Sequence, residues 1–294
     1  MTVAALPLEH RSVRDLIGDY LVLSKARIVV MVLVTTAAGY WVGSSAFDPL
    51  LFLHLMIGTA LVAGGTNALN QVWERDLDAQ MARTRRRPLP SGRLGTRHAL
   101  AFSVAISLVG IAWLAVAVNL LASFLSFATL ASYLFVYTPL KTRTTHCTVI
   151  GAAPGAVPPM IGYAAATGLI DATSWALFAF LFAWQLPHFL ALSWMYRDDY
   201  ARGGFRMLSV GDATGATVAR HAYGWSVALL AASIVPFWFG AAGAVYLVTA
   251  VAAGAALLLA AHRFAATLEM KAAKALFHGS NLYLVVVMAL MMVG

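Results

Sequence analysis

The chain has 294 residues, of which 61% are hydrophobic and 11% are charged, and its mean hydropathy is +0.79. This composition excludes a soluble globular protein, because no such protein needs so much apolar sequence. The net charge of +8 would favour nucleic acid as the partner of a soluble protein. Here membrane topology and anionic lipid or substrate explain the charge, which disfavours nucleic acid. Cys147 is the only cysteine and excludes an internal disulfide.

Nine apolar stretches follow one another with short polar breaks between them. A hydrocarbon core about 30 Å thick is crossed by roughly 20 apolar residues of helix, and each stretch is near that length. The sequence therefore predicts an all-α integral membrane protein, with a cytoplasmic segment at residues 1–26 and one membrane domain at residues 27–294. The predicted spans lie near residues 27–47, 50–69, 98–118, 121–139, 148–168, 174–195, 218–239, 243–262 and 276–293.

The basic residues are distributed unequally between the two sides of the membrane. With nine spans, all 20 Lys and Arg residues fall on one side or at a span end that faces it. Loops rich in Lys and Arg face the cytoplasm. Asp48 and Asp171 are the only charged residues predicted on the opposite side. The predicted cytoplasmic parts are the amino terminus and the loops near residues 70–97, 140–147, 196–217 and 263–275.

A row of polar side chains follows the second span directly. Asn70, Glu74 and Asp78 are spaced i, i+4, i+8, so a helix would place all three on one face, whereas Asp76 would point elsewhere. Magnesium is a hard cation that is commonly held by one or two carboxylates together with substrate phosphates. The row therefore predicts a magnesium site. The alternative is a solvated helix end without a ligand.

An arginine run follows the row within one or two helical turns. It comprises Arg83 and residues 85–87 and ends where Pro88 breaks regular structure. Arginine binds phosphate oxygens with two parallel hydrogen bonds. For any single arginine, membrane orientation is an equally good explanation. Carboxylates beside arginines at one membrane face nevertheless match a substrate that carries both a metal and excess negative charge, and a diphosphate is the simplest such substrate.

Further charged residues are predicted on the same side. Asp198 and Asp199 end the sixth span and are candidates for a second metal site, although no second carboxylate row at i, i+4 exists there. Lys141 and Arg143 follow the fourth span and are candidates for binding phosphate. Arg27 begins the first span and is a candidate for the same role, or an interfacial anchor.

Two spans have features that favour a ligand site inside the membrane. The fifth span contains three prolines within residues 151–162, together with glycines at helix-packing spacing. Irregular backbone is tolerated in a membrane where it is buried or lines a cavity, so we expect a cavity beside this span. His188 lies inside the sixth span next to Pro187, and it is either a packing residue or a substrate contact.

Three segments make the sequence resemble the intramembrane prenyltransferases of the UbiA superfamily, in particular its haem-farnesylating branch. The segments read NQVWERDLDAQMARTRRRPLPSG, TPLKTRTTHCTVIGAAPGAVPPMIGYAAATG and WQLPHFLALSWMYRDDY. The superfamily motif Asn-x3-Asp-x3-Asp matches Asn70, Glu74 and Asp78, with Glu in place of the first Asp. The second motif is not reproduced literally, and Asp198 and Asp199 are its counterparts.

The resemblance implies a bundle of nine helices around a central cavity that opens to the cytoplasm. It implies Mg2+ as cofactor, held by Glu74, Asp78, Asp198 and Asp199, and transfer of a farnesyl group from farnesyl diphosphate to a vinyl group of haem b. It also implies a bacterial inner membrane location and haem A synthase as a partner. Two alternatives remain open: a prenyltransferase acting on an aromatic quinone precursor, and a non-catalytic haem carrier. A carrier would not need the row of Asn70, Glu74 and Asp78.

Overall fold

The structure is a computed structural model that describes residues 12–292. Residues 1–11 of the predicted cytoplasmic segment and residue 293 of the last predicted span lie outside the described residues. Between residues 12 and 292 the regular structure is helical, and no strand is present. The helices are α1 (Val13–Leu23), α2 (Ala26–Gly43), α3 (Pro49–Trp73), α4 (Arg75–Gln80), α5 (Thr96–Ala117), α6 (Leu120–Ala131), a π-helical segment (Ser132–Tyr137), α7 (Thr138–Leu140), α8 (Cys147–Gly155), α9 (Pro158–Thr167), α10 (Ala172–Met195), α11 (Arg197–Arg202), α12 (Leu208–Gly211), α13 (Ala216–Ala232), α14 (Val235–Trp238), α15 (Ala244–Thr267) and α16 (Met270–Met291).

The predicted spans are confirmed in number and order. Within residues 12–292, nine helical stretches are long and apolar enough to cross a membrane. The third and fourth spans, and the seventh and eighth, are separated by only a few residues, yet each is a separate helix. Asn119 lies at the first of these breaks, where its side chain accepts the backbone N–H of Ala122 at 2.8 Å.

Several boundaries differ from the prediction by four to six residues, including the ends of α2 at Gly43 instead of residue 47 and of α15 at Thr267 instead of residue 262. α3 continues to Trp73 instead of ending near residue 69, and α16 begins at Met270 instead of residue 276.

The two acidic residues predicted on the far side of the membrane are helix caps. Asp48 accepts the backbone N–H groups of Leu50 and Leu51 at 2.9 and 3.0 Å, where α3 begins. Asp171 caps α10 in the same way and also accepts the hydroxyl of Tyr163 at 2.6 Å. That hydrogen bond holds the pKa of Asp171 below its usual value. A carboxylate stabilises a helix N-terminus because the first N–H groups have no partner within the helix.

The fifth span is broken in its middle, between α8 and α9. Ala156 donates its N–H to Ala153, which leaves the carbonyl of Ala152 without its helical partner. Gln185 of α10 donates to that carbonyl at 3.1 Å and so satisfies the break. Gly162 lies on α9 where a Cβ would overlap the Thr36 carbonyl, so α9 packs directly on the backbone of α2.

An open groove of about 330 Å3 lies beside this broken span, where the sequence predicts a cavity. Its walls come from α6 and the π-helical segment on one side and from α8 and α10 on the other. The lining is mostly apolar, which suits a hydrocarbon chain better than a charged ligand. The lining residues are Leu125, Ala128, Thr129, Ser132, Val136, Ile150, Ala153, Pro154, Val157 and Phe178.

The short helix α1 precedes the first span and is amphipathic. Ser12 begins it with a capping box to Asp15. Val13 and Ile17 are exposed, whereas Asp19 is buried and pairs with Arg93 of the arginine-containing loop at 3.0 Å. An apolar outer face on a helix next to a span is typical of a helix that lies in the membrane interface. α1 thereby connects the start of α2 to the loop that follows α4.

Candidate active site

The row of Asn70, Glu74 and Asp78 is buried at the end of α3. The prediction of one regular helix is not confirmed, because α3 ends at Trp73 and α4 begins at Arg75, with Glu74 at the junction. The backbone bonds Glu74 N to Asn70 O (2.9 Å) and Asp78 N to Glu74 O (2.8 Å) nevertheless cross the junction. The three residues are only 1%, 5% and 1% exposed, whereas the side chain of Asp76 is 81% exposed.

Each member of the row contacts one basic side chain. Buried carboxylates are costly without such partners, so these pairs stabilise the site. Two of the cations, Lys141 and Arg87, are candidates from the sequence, and the third, Lys25, is not. The three contacts are Lys25 Nζ with Asn70 Oδ1 at 3.0 Å, Lys141 Nζ with Glu74 Oε1 at 2.8 Å, and Arg87 Nη1 with Asp78 Oδ2 at 2.7 Å.

The π-helical segment positions Lys141. It inserts one residue into the turn before α7, and Thr138 Oγ1 donates to the carbonyl of Tyr133 at 2.9 Å. The same hydroxyl accepts Asn70 Nδ2 at 3.2 Å, which ties the segment to the row. Such bulges often occur at functional sites. The ammonium of Lys141 then lies 4.6 Å from the ring centre of Tyr137 and beside Glu74.

Lys25 is a candidate site residue that the sequence analysis does not select. The candidate at this position was Arg27, but Arg27 is exposed and Lys25 is partly buried, with its ammonium on Asn70. Lys25 has φ 51°, in the left-handed region that residues with a Cβ seldom adopt. Burial, together with the nearby charges of Arg87 and Lys141, lowers the pKa of Lys25 from 10.5 to about 7.

Asp198 and Asp199, which follow α10, occupy different environments. Asp199 is buried, accepts the backbone N–H groups of Ala82 and Arg83 at 3.1 and 3.2 Å, and pairs with Arg202. Burial alone would raise the pKa of Asp199, but these hydrogen bonds hold it below the usual value. The side chain of Asp198 is 81% exposed and lies 3.8 Å from Arg197. Asp199 therefore joins the segment that follows α10 to the loop that follows α4.

The four proposed metal ligands are not gathered into one cluster. Across residues 12–292, no group of three or more His, Cys, Asp or Glu side chains is arranged to hold a metal. Of the four, Glu74 and Asp78 are buried carboxylates one helical turn apart in the sequence, and carboxylate oxygens are the ligands of a hard cation that completes its shell with water and phosphate. The donor set at Glu74 and Asp78 thus fits magnesium held together with a substrate.

The remaining predicted phosphate-binding residues lie at the surface around the row. Arg83 is exposed, and its guanidinium lies 5.1 Å from the ring centre of Tyr196 and 5.7 Å from that of Tyr200. Arg143 and Arg27 are also exposed. The structure thus places Lys141 and Arg87 in direct contact with the row, and leaves the other three at solvent-accessible positions.

His188 packs α10 against α16. Its ring is stacked between Trp184 and Phe277, at centroid distances of 5.0 and 4.6 Å, and its Nδ1 lies 2.9 Å from Ser280 Oγ. The Ser280 hydroxyl donates to the carbonyl of Phe277 at 2.8 Å, so we assign Nδ1 as the donor to Ser280. The other ring nitrogen, Nε2, then carries a lone pair and is the atom able to bind a metal.

Fold and site together define a helical integral membrane protein with a polar site at one end of its bundle, where buried carboxylates meet cations. The sequence matches the UbiA prenyltransferase family over residues 32–286. The chain belongs to this family.

Relatives of known name cover nearly the whole chain. A protein of Solibacter usitatus named protoheme IX farnesyltransferase is 45% identical over an alignment of 284 residues that covers 93% of this chain and 97% of the relative. A protein of the same name from Salinibacter ruber is 41% identical and covers 95% of this chain and 99% of its own length.

Solved structures share the fold at low sequence identity. A digeranylgeranylglyceryl phosphate synthase superposes with a TM-score of 0.77 at 16% identity, covering 95% of this chain and 98% of its own. A UbiA homologue from Archaeoglobus fulgidus, bound to GPP and Mg2+, superposes with a TM-score of 0.67 at 13% identity, covering 94% of this chain and 100% of its own. At this identity the likeness establishes the fold alone.

Proposed function

We propose that the protein transfers the farnesyl group of farnesyl diphosphate to a vinyl group of haem b, giving haem O and diphosphate. The observation that carries the proposal is the buried row in which Glu74 and Asp78 are held by Lys141 and Arg87. The relatives from Solibacter usitatus and Salinibacter ruber, named for this activity, support the choice of substrates.

The cations of the row are the proposed diphosphate-binding groups. In the free protein Lys141 and Arg87 pair with the two carboxylates of the row, and Lys25 contacts the neutral amide of Asn70. A diphosphate would bring its own negative oxygens, so these side chains would bind phosphate, and Glu74 and Asp78 would then be the residues that hold Mg2+. The bound metal would stabilise the negative charge that develops on the departing diphosphate.

The transfer requires little proton chemistry from the protein. The bond between the farnesyl carbon and the diphosphate oxygen breaks, and its electron pair leaves with diphosphate. The π electrons of the vinyl group form the new carbon–carbon bond, water adds to the resulting porphyrin-side cation, and one proton is released. The bundle contributes by excluding bulk water from the allylic cation until the carbon–carbon bond has formed. We propose His188 Nε2 as the contact for haem iron.

The orientation of the site follows from the loops that build it. We propose that the row faces the cytoplasm across a bacterial inner membrane, because Lys and Arg residues are concentrated in the loops on its side. Residues 1–26 then lie in the cytoplasm and residues 27–294 form the membrane domain. The apolar product stays in the membrane, where a haem A synthase is the proposed acceptor.

The proposed activity is tested by incubating the purified protein with haem b, farnesyl diphosphate and Mg2+, and analysing the porphyrin by mass spectrometry. We expect a porphyrin heavier by one farnesyl group and one hydroxyl group, because the added water loses one proton. An unchanged porphyrin, with farnesyl diphosphate bound, overturns the proposal. Prenylation of an aromatic acid offered in parallel would instead identify an enzyme that acts on quinone precursors. Haem binding without any transfer would identify a haem carrier.

Lys25 gives the binding of farnesyl diphosphate a pH dependence. The pKa of Lys25 in the free protein is about 7, and a bound anion favours the charged amine and raises that pKa. Binding therefore takes up a proton at about pH 8, and affinity falls as pH rises above about 7. Calorimetry in buffers of different ionisation enthalpy measures the uptake, which Lys25→Met should remove. A proton count of zero in the unsubstituted protein contradicts this assignment.

Asp199 and Asp198 are expected to differ in importance. Asp199→Asn removes the charge that pairs with Arg202 and one of the two oxygens that accept N–H groups of the loop that follows α4. Hydrogen bonds to charged groups contribute roughly 1.5 to 3 kcal/mol, so we expect kcat/KM to fall about tenfold or more. Asp198→Asn should change kcat/KM less than about twofold. Equal losses in both variants would instead support metal binding by Asp198.

A further inference from the structure

Gln71 lies next to Asn70 on α3 and points its amide at a different element. The residue is 1% exposed. Its Nε2 donates to two backbone carbonyls of the last turn of α1, Val22 O at 2.9 Å and Leu23 O at 2.7 Å. The last carbonyls of a helix have no partner within the helix. Gln71 satisfies two of them and fixes the end of α1 to α3.

The backbone that Gln71 holds leads directly to Lys25. α1 ends at Leu23, Ser24 follows, and Lys25 takes up its left-handed conformation, with its N–H donating to the carbonyl of Val22 at 3.1 Å. Val22 O is thus shared between Gln71 and Lys25. A left-handed residue that has a Cβ persists only when its surroundings impose it. The turn imposed here is the one that brings Lys25 Nζ to Asn70 Oδ1.

The oxygen of the Gln71 amide, unlike its nitrogen, does not stabilise the fold. Gln71 Oε1 is buried and has no hydrogen-bond partner. An unsatisfied buried oxygen costs stability, so a side chain selected for packing alone would be better as Leu or Met. The amide orientation is also unambiguous, because a reversed amide would face its oxygen towards two carbonyls. The donor end is therefore the part that the fold uses.

We propose that Gln71 is a positioning residue for diphosphate binding, which acts by holding the α1–α2 turn so that the Lys25 ammonium meets the substrate. The inference rests on the proposed function, because it requires that Lys25 bind diphosphate. Gln71 itself does not touch the substrate. The same α3 segment then supplies Asn70 on one side of the helix and, through Gln71, sets the lysine that Asn70 contacts.

A double-mutant cycle separates this role from a merely structural one. Farnesyl diphosphate binding in the presence of Mg2+ is measured on the full chain for the unsubstituted protein, Gln71→Leu, Lys25→Met and the double variant. If Gln71 acts through Lys25, Gln71→Leu weakens binding about tenfold and the double variant binds no more weakly than Lys25→Met. KM for farnesyl diphosphate should rise more than kcat falls.

The possible contrary results are distinguishable. Losses that multiply in the double variant, or no loss in Gln71→Leu, overturn the positioning role while leaving the diphosphate site intact. Normal binding by Lys25→Met overturns the diphosphate role of Lys25 and this inference with it. If Gln71→Leu does not fold, Gln71→Met keeps the side-chain length without the donor and is measured in its place.

Gln185 offers a matched control. It is also a buried glutamine whose Nε2 donates to two backbone carbonyls, Ala152 O at 3.1 Å and Leu181 O at 3.2 Å, but in the fifth and sixth spans. Gln185→Leu removes the same kind of interaction without touching the α1–α2 turn. Its effect should multiply with that of Lys25→Met. Coupling to Lys25 as strong as that of Gln71 would show a general loosening of the bundle and overturn the inference.

Discussion

Glu74→Gln and Asp78→Asn are each expected to lower kcat by at least about a thousandfold. Each substitution keeps the size of a side chain but removes the negative charge that we propose for holding Mg2+. It also leaves a cation of the row, Lys141 or Arg87, without its carboxylate. The measurement is haem O formation at saturating farnesyl diphosphate, with folding checked from the helix content and the unfolding temperature of each purified variant.

Asp76→Asn is the matched control for these two variants. Asp76 lies in α4 between them, yet its side chain is 81% exposed and pairs with its neighbour Arg75. Exposed pairs of this kind contribute little, so this variant should retain nearly full activity. Full activity in Glu74→Gln and Asp78→Asn would show that the metal assignment is wrong. An equal loss of activity in Asp76→Asn would show that removing any carboxylate of this segment lowers activity, whether or not it holds Mg2+.

The row of Asn70, Glu74 and Asp78 was predictable because it depends on local spacing. The i, i+4, i+8 positions share a face whenever the backbone stays close to helical, and the backbone bonds across Glu74 keep it so. The nine spans were predictable for a related reason, since each is long enough to show in its own hydropathy. The shift of the α3 end to Trp73 lies within the uncertainty of such boundaries.

Lys25 and Asp199 were not resolved by the sequence, because their environments depend on contacts between distant segments. Lys25 reaches Asn70 only through a left-handed turn, and the bonds that hold this turn come from Gln71 on α3. Nothing in the local pattern distinguishes Lys25 from Arg27. Asp198 and Asp199 are likewise adjacent and identical in type, and only the approach of the loop at Ala82 buries one of them.

Lys141→Met is expected to have the largest effect on stability. The side chains of Lys141 and Glu74 are only 12% and 6% exposed. Burial alone would lower the pKa of Lys141, but the Glu74 carboxylate holds it well above 10.5, so the amine is charged throughout the working pH range. Removing it leaves a buried carboxylate without a partner, which costs roughly 3 to 5 kcal/mol in buried pairs. Farnesyl diphosphate binding should weaken as well, because the amine is a proposed phosphate ligand.

Combining Lys141→Met with Glu74→Gln separates the two roles of this pair. The double variant has neither charge, so its free energy of unfolding should be closer to that of the unsubstituted protein than is the value for Lys141→Met alone. Its turnover should nevertheless remain as low as that of Glu74→Gln. If stability losses instead added, the contact at 2.8 Å would not be the reason for the lysine's burial. Recovered turnover would mean that the buried pair holds the fold together and that neither charge takes part in diphosphate departure.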